Sequence, residues 1–359
     1  MRLGLLLAVV LVAVGIRIMG GLGSGGQAGS YVHDSFVMGT VLNIKVRGAS
    51  RELAATAAEA VVEEARRLHV VFDPHDEDGT ISLLNRTAAE GGGMVVVGRD
   101  VARVLAAAIA VRDSSSRGFD PALGALIDIW GFSDEKAARE IPDTLQLARL
   151  TAELATAGLI GLSEDSSTVV VPPGAGLLDV GGIAKGYAVD RAIEILDSLG
   201  INNALINLGG EIGVLGVGSN GRNWRVGVQH PRMAASHLGV VSQTEGMYVA
   251  TSGDYERFFI LEGRRYHHIL DPATGFPSMD EAVMSTTVVA GSCLMADAMA
   301  TAAFVLGPDE GIRFLESQGA QGLIVYARNG NRENGEITYK TTSGFQSIMQ
   351  PDLGGRPIY

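Results

Sequence analysis

Apolar positions recur with two different periods along this chain of 359 residues. Spacing typical of amphipathic helices covers residues 51–68, 101–112 and 145–158, and Asp143 or Thr144 is the candidate N-cap of the last. Strand-like runs lie at residues 36–46, 168–171, 204–208, 224–228, 239–241, 258–261, 286–289 and 322–327. Since helices and strands follow one another without a regular period, the pattern predicts an α+β fold with mixed, largely antiparallel sheets and packed helices.

The N-terminus has a different pattern from the rest of the chain. Residues 3–15 are apolar or glycine throughout, and a Gly/Ser-rich stretch follows over residues 20–30. This run is shorter than the roughly 20 residues of a membrane-spanning helix, which favours the apolar core of a signal peptide. We expect residues 1–30 to be a signal peptide or an uncleaved N-terminal membrane anchor with a linker. Residues 31–359 are then the folded domain, with two intimately associated subdomains, exported to the periplasm or the extracytoplasmic face of the cell membrane.

Composition narrows the class of ligand. A net charge of −12 without a basic stripe argues against a nucleic-acid partner. A phosphate-bearing ligand would need local donors or a metal ion to overcome this negative field, and 40 acidic residues suit a divalent cation. Cys293 is the only cysteine, so the chain cannot form an intramolecular disulfide.

Residues 179–190, DVGGIAKGYAVD, have the features of a phosphate site. The end of a strand-like run is followed by Gly181 and Gly182, and then by apolar residues at helical spacing. The N–H groups and the positive dipole end at such a helix start favour an anion, and Lys185 adds a positive charge. The alternative that this segment alone leaves open is a glycine-linked strand and helix with a solvated Lys185.

Asp297 and Thr301 are four residues apart, so a helix places both side chains on one face. A carboxylate and a hydroxyl suit a hard cation such as Mg²⁺, which takes oxygen ligands and leaves positions for water and phosphate. The alternative is a buried polar pair in which the Thr301 hydroxyl bonds back to the preceding turn.

Two adjacent histidines, His267 and His268, precede a turn that begins at Asp271. A strand puts their rings on opposite faces, so only one of them can face a site. An imidazole with a pKa near neutrality is suited to proton transfer. Asp254, in a charged loop, would either orient such a base or close a turn.

Together these segments resemble the FAD:protein FMN transferase family, known as ApbE, over residues 38–307. The segments that carry the resemblance are DVGGIAKGYAVD, GFDPALGALIDIWGF from Gly118, NLGGEIGVLG from Asn207, ATSGDYERFF from Ala250, YHHILDPATGFP from Tyr266 and CLMADAMATAAFVLG from Cys293. The resemblance implies an ApbE-like fold related to the T-fold. It also implies magnesium-dependent transfer of FMN from FAD to a Thr or Ser hydroxyl of a target flavoprotein, with release of AMP.

The resemblance also assigns roles to individual residues. It implies magnesium ligands at Asp297, Thr301 and the carbonyl of Gly182, while Ala300 stands where some members have a second carboxylate. It implies that His268 and Asp254 are catalytic. The FAD-binding residues that it implies are Met38, Phe72, where the family often has a tyrosine, Gly118, Phe119, Asp120, Asp179, Lys185 and Leu270. Phe119 and Trp130 are at the same time the strongest candidates for core residues.

Two other functions fit the same segments. With water as the acceptor, the site would be an FAD pyrophosphatase that yields FMN and AMP. Without turnover, the protein would be a flavin-binding protein of the cell envelope, although such a carrier has no evident need for a metal at the pyrophosphate. For the transferase, the resemblance implies flavin-carrying subunits of membrane redox complexes as acceptors, with contact to the membrane through the N-terminus as an option.

Overall fold

The computed structural model describes residues 30–133, 140–158, 160–163, 167–218, 222–233, 236–243, 246–278, 282–328, 330 and 336–351. Apart from Ser30, the expected signal or anchor segment lies outside these residues. No helix within these ranges combines the length and the apolar character needed to cross a membrane.

Strands and helices are interspersed along the described chain. The strands are β1 (Ser30–Val37), β2 (Thr40–Arg47), β3 (Gly93–Val96), β4 (Gly161–Leu162), β5 (Thr168–Val171), β6 (Ala204–Leu208), β7 (Glu211–Leu215), β8 (Trp224–Gln229), β9 (His237–Gln243), β10 (Tyr248–Gly253), β11 (Phe258–Leu261), β12 (Arg264–His267), β13 (Val283–Ala290), β14 (Gln321–Ala327), β15 (Ile337–Thr341) and β16 (Met349–Pro351). The helices are α1 (Arg51–Phe72), α2 (Thr80–Ala89), α3 (Arg99–Ser114), α4 (Gly124–Ile129), α5 (Thr144–Thr156), α6 (Gly181–Ser198), α7 (Cys293–Ser317) and α8 (Phe345–Ile348).

The largest sheet has eight strands in the order β1-β2-β6-β7-β10-β13-β14-β15. Every neighbouring pair in it is antiparallel. The remaining strands form two sheets of three strands, β16-β9-β8 and β3-β5-β4, and the hairpin β11-β12. The prediction of an α+β fold with mainly antiparallel sheets is therefore confirmed.

The central strands of the large sheet are buried on both faces. Ala250 and Val288 belong to the main core with α6 and α7, whereas their chain neighbours Val249 and Val289 pack against the sheet of β8 and β9. Successive side chains of a strand point to opposite faces, so helices cover one face and the small sheet covers the other. This layering holds α6 and α7 side by side above the sheet.

A second apolar cluster surrounds Trp130, which is fully buried. Its ring packs against Phe132, Tyr266 and Phe276 at centroid distances of 6.2, 5.8 and 5.7 Å. The indole N–H donates to the carbonyl of Gly275 at 2.8 Å. Trp130 is thus a core residue, as predicted, and it fixes the loop that follows β12.

One predicted strand, over residues 36–46, is in fact the hairpin of β1 and β2. The chain reverses at Met38 and Gly39, whose φ angles are 51° and 70°. A non-glycine residue rarely adopts such a left-handed conformation, and the Met-Gly sequence is not among the strong turn signals. The prediction of one continuous strand was wrong for this reason.

Candidate functional site

Helices α6 and α7 cross so closely that only glycine fits at the crossing point. A Cβ atom built on Gly186 would lie 2.3 Å from the carbonyl oxygen of Cys293 and 2.8 Å from Cβ of Asp297. The N–H of Gly186 donates to Oδ2 of Asp297 at 2.9 Å. Asp190, one turn further along α6, accepts from the N–H groups of Cys293 and Leu294 at 2.7 and 3.1 Å. These contacts hold the start of α7 against the first turns of α6.

The close crossing brings the three predicted metal ligands together. Asp297 is 3% exposed, and a Cβ atom on Gly182 would lie 3.5 Å from Oγ1 of Thr301. The Thr301 hydroxyl lies 3.0 Å from Oγ of Ser252, at the end of β10. Thr301 therefore lies beside Gly182, and Asp297 lies one turn further along α6 beside Gly186, so all three residues line the α6–α7 contact.

This donor set fits Mg²⁺, which prefers oxygen ligands and keeps positions open for phosphate and water. Burial raises the pKa of Asp297, which means that its carboxylate is short of compensating positive charge. In a regular α-helix the N–H of Gly186 donates to the carbonyl of Gly182, four residues earlier. Here the N–H of Gly186 donates to Oδ2 of Asp297, so the carboxylate competes with the Gly182 carbonyl for this donor. Among the described residues, no three His, Cys, Asp or Glu side chains lie close enough together to hold a metal ion. The proposed set contains one carboxylate, one hydroxyl and one carbonyl, so it is a different kind of site.

A group of charged side chains borders the metal ligands. Lys185 forms an ion pair with Oε1 of Glu211, which is 2% exposed. Burial lowers the pKa of Lys185, but the negative charges of Asp297, Glu211 and Glu256 together raise it above its usual value. The charges of three carboxylates thus act on one ammonium, with Arg257 acting on Glu256 as well, and a divalent cation would offset part of the negative charge.

Asp179 and Phe119 lie at the start of α6. Oδ1 of Asp179 accepts from the N–H of Gly181 at 2.7 Å, which fixes the entry to the helix. Burial raises the pKa of Asp179, and the hydrogen bond from Gly181 and the charge of Arg257 oppose this shift. Cε2 of Phe119 lies 3.2 Å from the position of a Cβ atom on Gly182, so its ring packs beside Gly182.

His268 is half-buried directly after β12. Its Nδ1 lies 3.2 Å from the carbonyl oxygen of Arg257, which also accepts from the N–H of His268. A carbonyl can only accept, so Nδ1 carries the proton and Nε2 keeps its lone pair. Burial, followed by the charge of Arg257, lowers the pKa of His268 to about 3. The ring is therefore neutral at physiological pH, and His267, fully buried with Nε2 3.1 Å from the carbonyl of Ser278, faces the interior instead.

Arg257 connects the β1–β2 turn to this part of the site. A Cβ atom on Gly39 would lie 3.1 Å from Nη2 of Arg257, so the Met38–Gly39 turn packs over the guanidinium. Leu270 is 3% exposed and forms an isolated β-bridge with Pro277. Gly118 packs on α7, where a Cβ atom would lie 2.9 Å from Cγ of Leu306.

Three predicted site residues have their side chains engaged within the protein. Phe72 is 4% exposed and its ring packs edge-on against Tyr187 in the main core, at a centroid distance of 5.9 Å. Asp120 accepts from Nε of both Arg112 and Arg117 at 3.0 Å. Both oxygens of Asp254, which is fully buried, accept from Arg232 at 2.7 Å. The structure favours a core role for Phe72 and a bracing role for the two carboxylates.

His75 lies in the loop that follows α1, and no sequence motif assigned it a role. Half of its side chain is exposed, and its Nε2 lies 3.4 Å from Oδ1 of Asp128. The charges of His75 and Asp128 both act on Asp179. His75, three residues after Phe72, is therefore the more exposed ring of this segment.

Comparisons with known proteins match nearly the whole described chain. A model of the ApbE family matches residues 38–324. The FAD:protein FMN transferase of Treponema pallidum is 33% identical over 332 residues, which cover 88% of this chain and 90% of that protein. The corresponding Vibrio cholerae protein is 29% identical over 84% of this chain and 90% of its own length.

Solved structures agree in fold. The ApbE protein of Thermotoga maritima superposes with a TM-score of 0.78 at 32% identity, covering 90% of this chain and all of that one. The flavin transferase ApbE from Vibrio cholerae gives a TM-score of 0.77 at 26% identity, again over 90% of this chain and all of its own.

Proposed function

The chain belongs to the ApbE family, and we propose on this premise that it is an FAD:protein FMN transferase, which moves FMN from FAD to a target flavoprotein. The observation that carries the proposal at the level of the site is the meeting of Gly182, Asp297 and Thr301 beside Lys185. This arrangement suits a pyrophosphate, whose cleavage depends mainly on positioning and charge neutralisation.

The reaction exchanges one phosphate link for another. The oxygen of an acceptor Thr or Ser hydroxyl attacks the phosphorus of the FMN half of FAD. The bond between that phosphorus and the bridging oxygen breaks, and AMP leaves with the bridging oxygen. The proton of the hydroxyl passes to a base, and the charge that develops on the leaving phosphate has to be neutralised.

The first turn of α6 binds the phosphates in this proposal. The N–H of Gly181 is engaged by Asp179, so the positive dipole end of the helix attracts the anion, and Lys185, one turn further along α6, supplies a full charge. Asp297, Thr301 and the carbonyl of Gly182 would hold Mg²⁺, and the bound ion would offset negative charge on the pyrophosphate. Phe119 forms the wall next to Gly182.

His268 is the favoured base for the acceptor hydroxyl. Its Nε2 lone pair is available because Nδ1 is fixed on the Arg257 carbonyl, and its low pKa keeps the ring unprotonated before the reaction. Asp254 is less suited to this role because Arg232 engages both of its oxygens. We assign Asp254 to the positioning of the loop that begins after β10.

The acceptors and the cellular location follow from the N-terminus. The apolar run at residues 3–15 suggests export, with the site facing outside the cytoplasm. Acceptors would then be extracytoplasmic flavoprotein subunits of membrane redox complexes that carry a Thr or Ser in a loop able to enter the site.

The test is incubation of the full chain with FAD, Mg²⁺ and a flavoprotein domain that is normally flavinylated on threonine. AMP is measured by chromatography, and covalent flavin on the acceptor is measured by mass spectrometry. We expect equal amounts of both, and neither product with Asp297→Ala. A threonine-to-valine variant of the acceptor is the matched control and should remain unlabelled.

Other outcomes identify other functions. AMP and free FMN in equal amounts, with no labelled acceptor, would contradict the transferase and favour an FAD pyrophosphatase. Tight FAD binding without either product would favour a flavin-binding protein of the envelope.

A further inference from the structure

The turn between β6 and β7 places Glu211 next to Lys185, beside the proposed metal site. Gly209 and Gly210 have φ angles of 67° and 113°, and the N–H of Gly210 donates to Oδ1 of Asn207 at 2.9 Å. A Cβ atom on Gly209 would lie 2.7 Å from Oγ1 of Thr40, so the turn needs glycine for space as well as for backbone conformation. Glu211 begins β7 directly after this turn and points towards α6.

The carboxylate of Glu211 is unusually placed for a buried acid. Oε1 accepts from the Lys185 ammonium, whereas Oε2 is buried without a hydrogen-bond partner among the described residues. A buried polar oxygen left without a partner destabilises the fold, so an arrangement of this kind needs a reason beyond stability. Within the described part of the chain, the hydrogen bond of the Glu211 side chain is the one with Lys185.

Lys185 has a second carboxylate within reach of its charge. The N–H of Gly186, the residue after Lys185, donates to Oδ2 of Asp297 at 2.9 Å, so Asp297 lies next to this part of α6. The charge of Asp297 acts on Lys185, and the charges of Lys185 and Asp297 both act on Glu211. If the ammonium moved from Glu211 to Asp297, it would occupy the oxygens that a cation needs. A cation and an ammonium cannot both neutralise one buried carboxylate at close range without repelling each other.

We propose that Glu211 is a positioning residue that holds the Lys185 ammonium away from Asp297 and thereby keeps Asp297 available to the cation. This inference rests on the magnesium site of the proposed function. Lys185 is then free to attract the phosphates, and Asp297 is free to bind the cation. Glu211 touches neither the cation nor the substrate.

A double-mutant cycle on Mg²⁺ binding tests the inference. The dissociation constant for Mg²⁺ is measured by isothermal titration calorimetry without FAD, on the full chain in detergent. The four proteins are the wild type, Glu211→Gln, Lys185→Met and the double variant. We expect Glu211→Gln to weaken Mg²⁺ binding at least about tenfold more when Lys185 is present than when it is methionine.

Glu256→Gln is the matched control, because it removes a charge that acts on Lys185 without removing a hydrogen bond to it. Its effect on Mg²⁺ binding should depend on the presence of Lys185 far less than the effect of Glu211→Gln does. An equal effect of Glu211→Gln in both backgrounds would overturn the proposal, since Glu211 would then act only through its field or as a ligand itself.

A crystal structure of the Mg²⁺-bound wild type gives a second readout that does not depend on a variant folding. We expect the ammonium of Lys185 on Glu211 and the carboxylate of Asp297 on the ion. A Glu211 oxygen on the ion would overturn the inference. Absence of Mg²⁺ binding by the wild type would overturn the inference and the metal site, whereas the AMP and flavin measurements test the transferase separately.

Discussion

Gly186→Ala should disable the site by separating two helices. The added Cβ would lie 2.3 Å from the carbonyl oxygen of Cys293, while ordinary contacts begin at 3.4 Å, so α6 and α7 have to move apart by 1.1 Å. Overpacking of this kind costs about 1–3 kcal/mol. Alanine regains about 1 kcal/mol through its higher helix propensity. We therefore expect a net destabilisation of about 0–2 kcal/mol.

The same displacement has a larger effect on activity than on stability. It moves Asp297 and Thr301 away from the carbonyl of Gly182, and Mg²⁺ accepts little deviation from oxygen distances of about 2.0–2.1 Å. A misplacement of about 1 Å at a catalytic site can cost about 100-fold in rate. We expect a fall of that order in AMP release, with the protein still folded.

The assays are urea unfolding followed by circular dichroism, and AMP release at saturating FAD and Mg²⁺. Gly291→Ala is the matched control, because a Cβ at Gly291 would meet nothing within 4 Å. It should leave stability within about 0.5 kcal/mol and activity unchanged. If Gly186→Ala kept its stability and at least half of its activity, the helix crossing would not be what assembles the site.

Three further predictions concern proton transfer and buried charge. His268→Asn should lower kcat about 100- to 10,000-fold with little change in FAD binding, and an unchanged kcat would remove His268 from the mechanism. Because the pKa of His268 is lowered to about 3, the pH–rate profile of the wild type should show no inflection near 6.5 from this group. Burial raises the pKa of Asp190 from 3.8 to about 6, so the folded state binds this proton more tightly, and the stability from it is present below about pH 4 and lost as pH rises through 6. The difference in unfolding free energy between Asp190→Asn and the wild type should therefore shift by about 2.4 kcal/mol in favour of the variant from pH 4 to 7, and a constant difference would contradict the burial argument. Arg232→Met should destabilise the fold by about 3–5 kcal/mol because it leaves Asp254 buried and unpaired. Arg149→Met, at an exposed ion pair, is the control and should change stability by less than about 0.5 kcal/mol. Similar urea midpoints for the two variants would refute this prediction.

Local signals were sufficient for much of the fold. Asp143 was one of two candidate N-caps, and its Oδ1 accepts from the N–H groups of Leu145 and Gln146 at 2.9 and 3.0 Å. Strands β5, β6 and β11 begin and end where their apolar runs do. These elements depend on side-chain chemistry within a few residues, which the sequence shows directly.

Elements that depend on tertiary contacts could not be read in this way. The β1–β2 turn places Met38 in a left-handed conformation, which the packing over Arg257 supports and no local turn residue announces. Strand β10 has the sequence YVATSG, whose small and polar residues carry a weak strand signal; its pairing with β7 and β13 on either side determines its conformation.

The site shows the same division. The spacing of Asp297 and Thr301 places them on one helix face, but their approach to Gly182 depends on the Gly186 contact between two helices far apart in sequence. The ion pairs of Asp120 and Asp254 likewise join separate segments. Phe72 and His75 differ by three positions in one segment, and only the direction in which α1 ends determines which ring is buried.

The metal site can be tested by a crystal structure of the protein with FAD and Mn²⁺, with anomalous diffraction data to locate the ion. We expect an anomalous peak about 2 Å from oxygens of Asp297, Thr301 and the main chain of Gly182, with the pyrophosphate of FAD at the start of α6 next to Lys185. An ion bound elsewhere, or a pyrophosphate away from the first turn of α6, would contradict it.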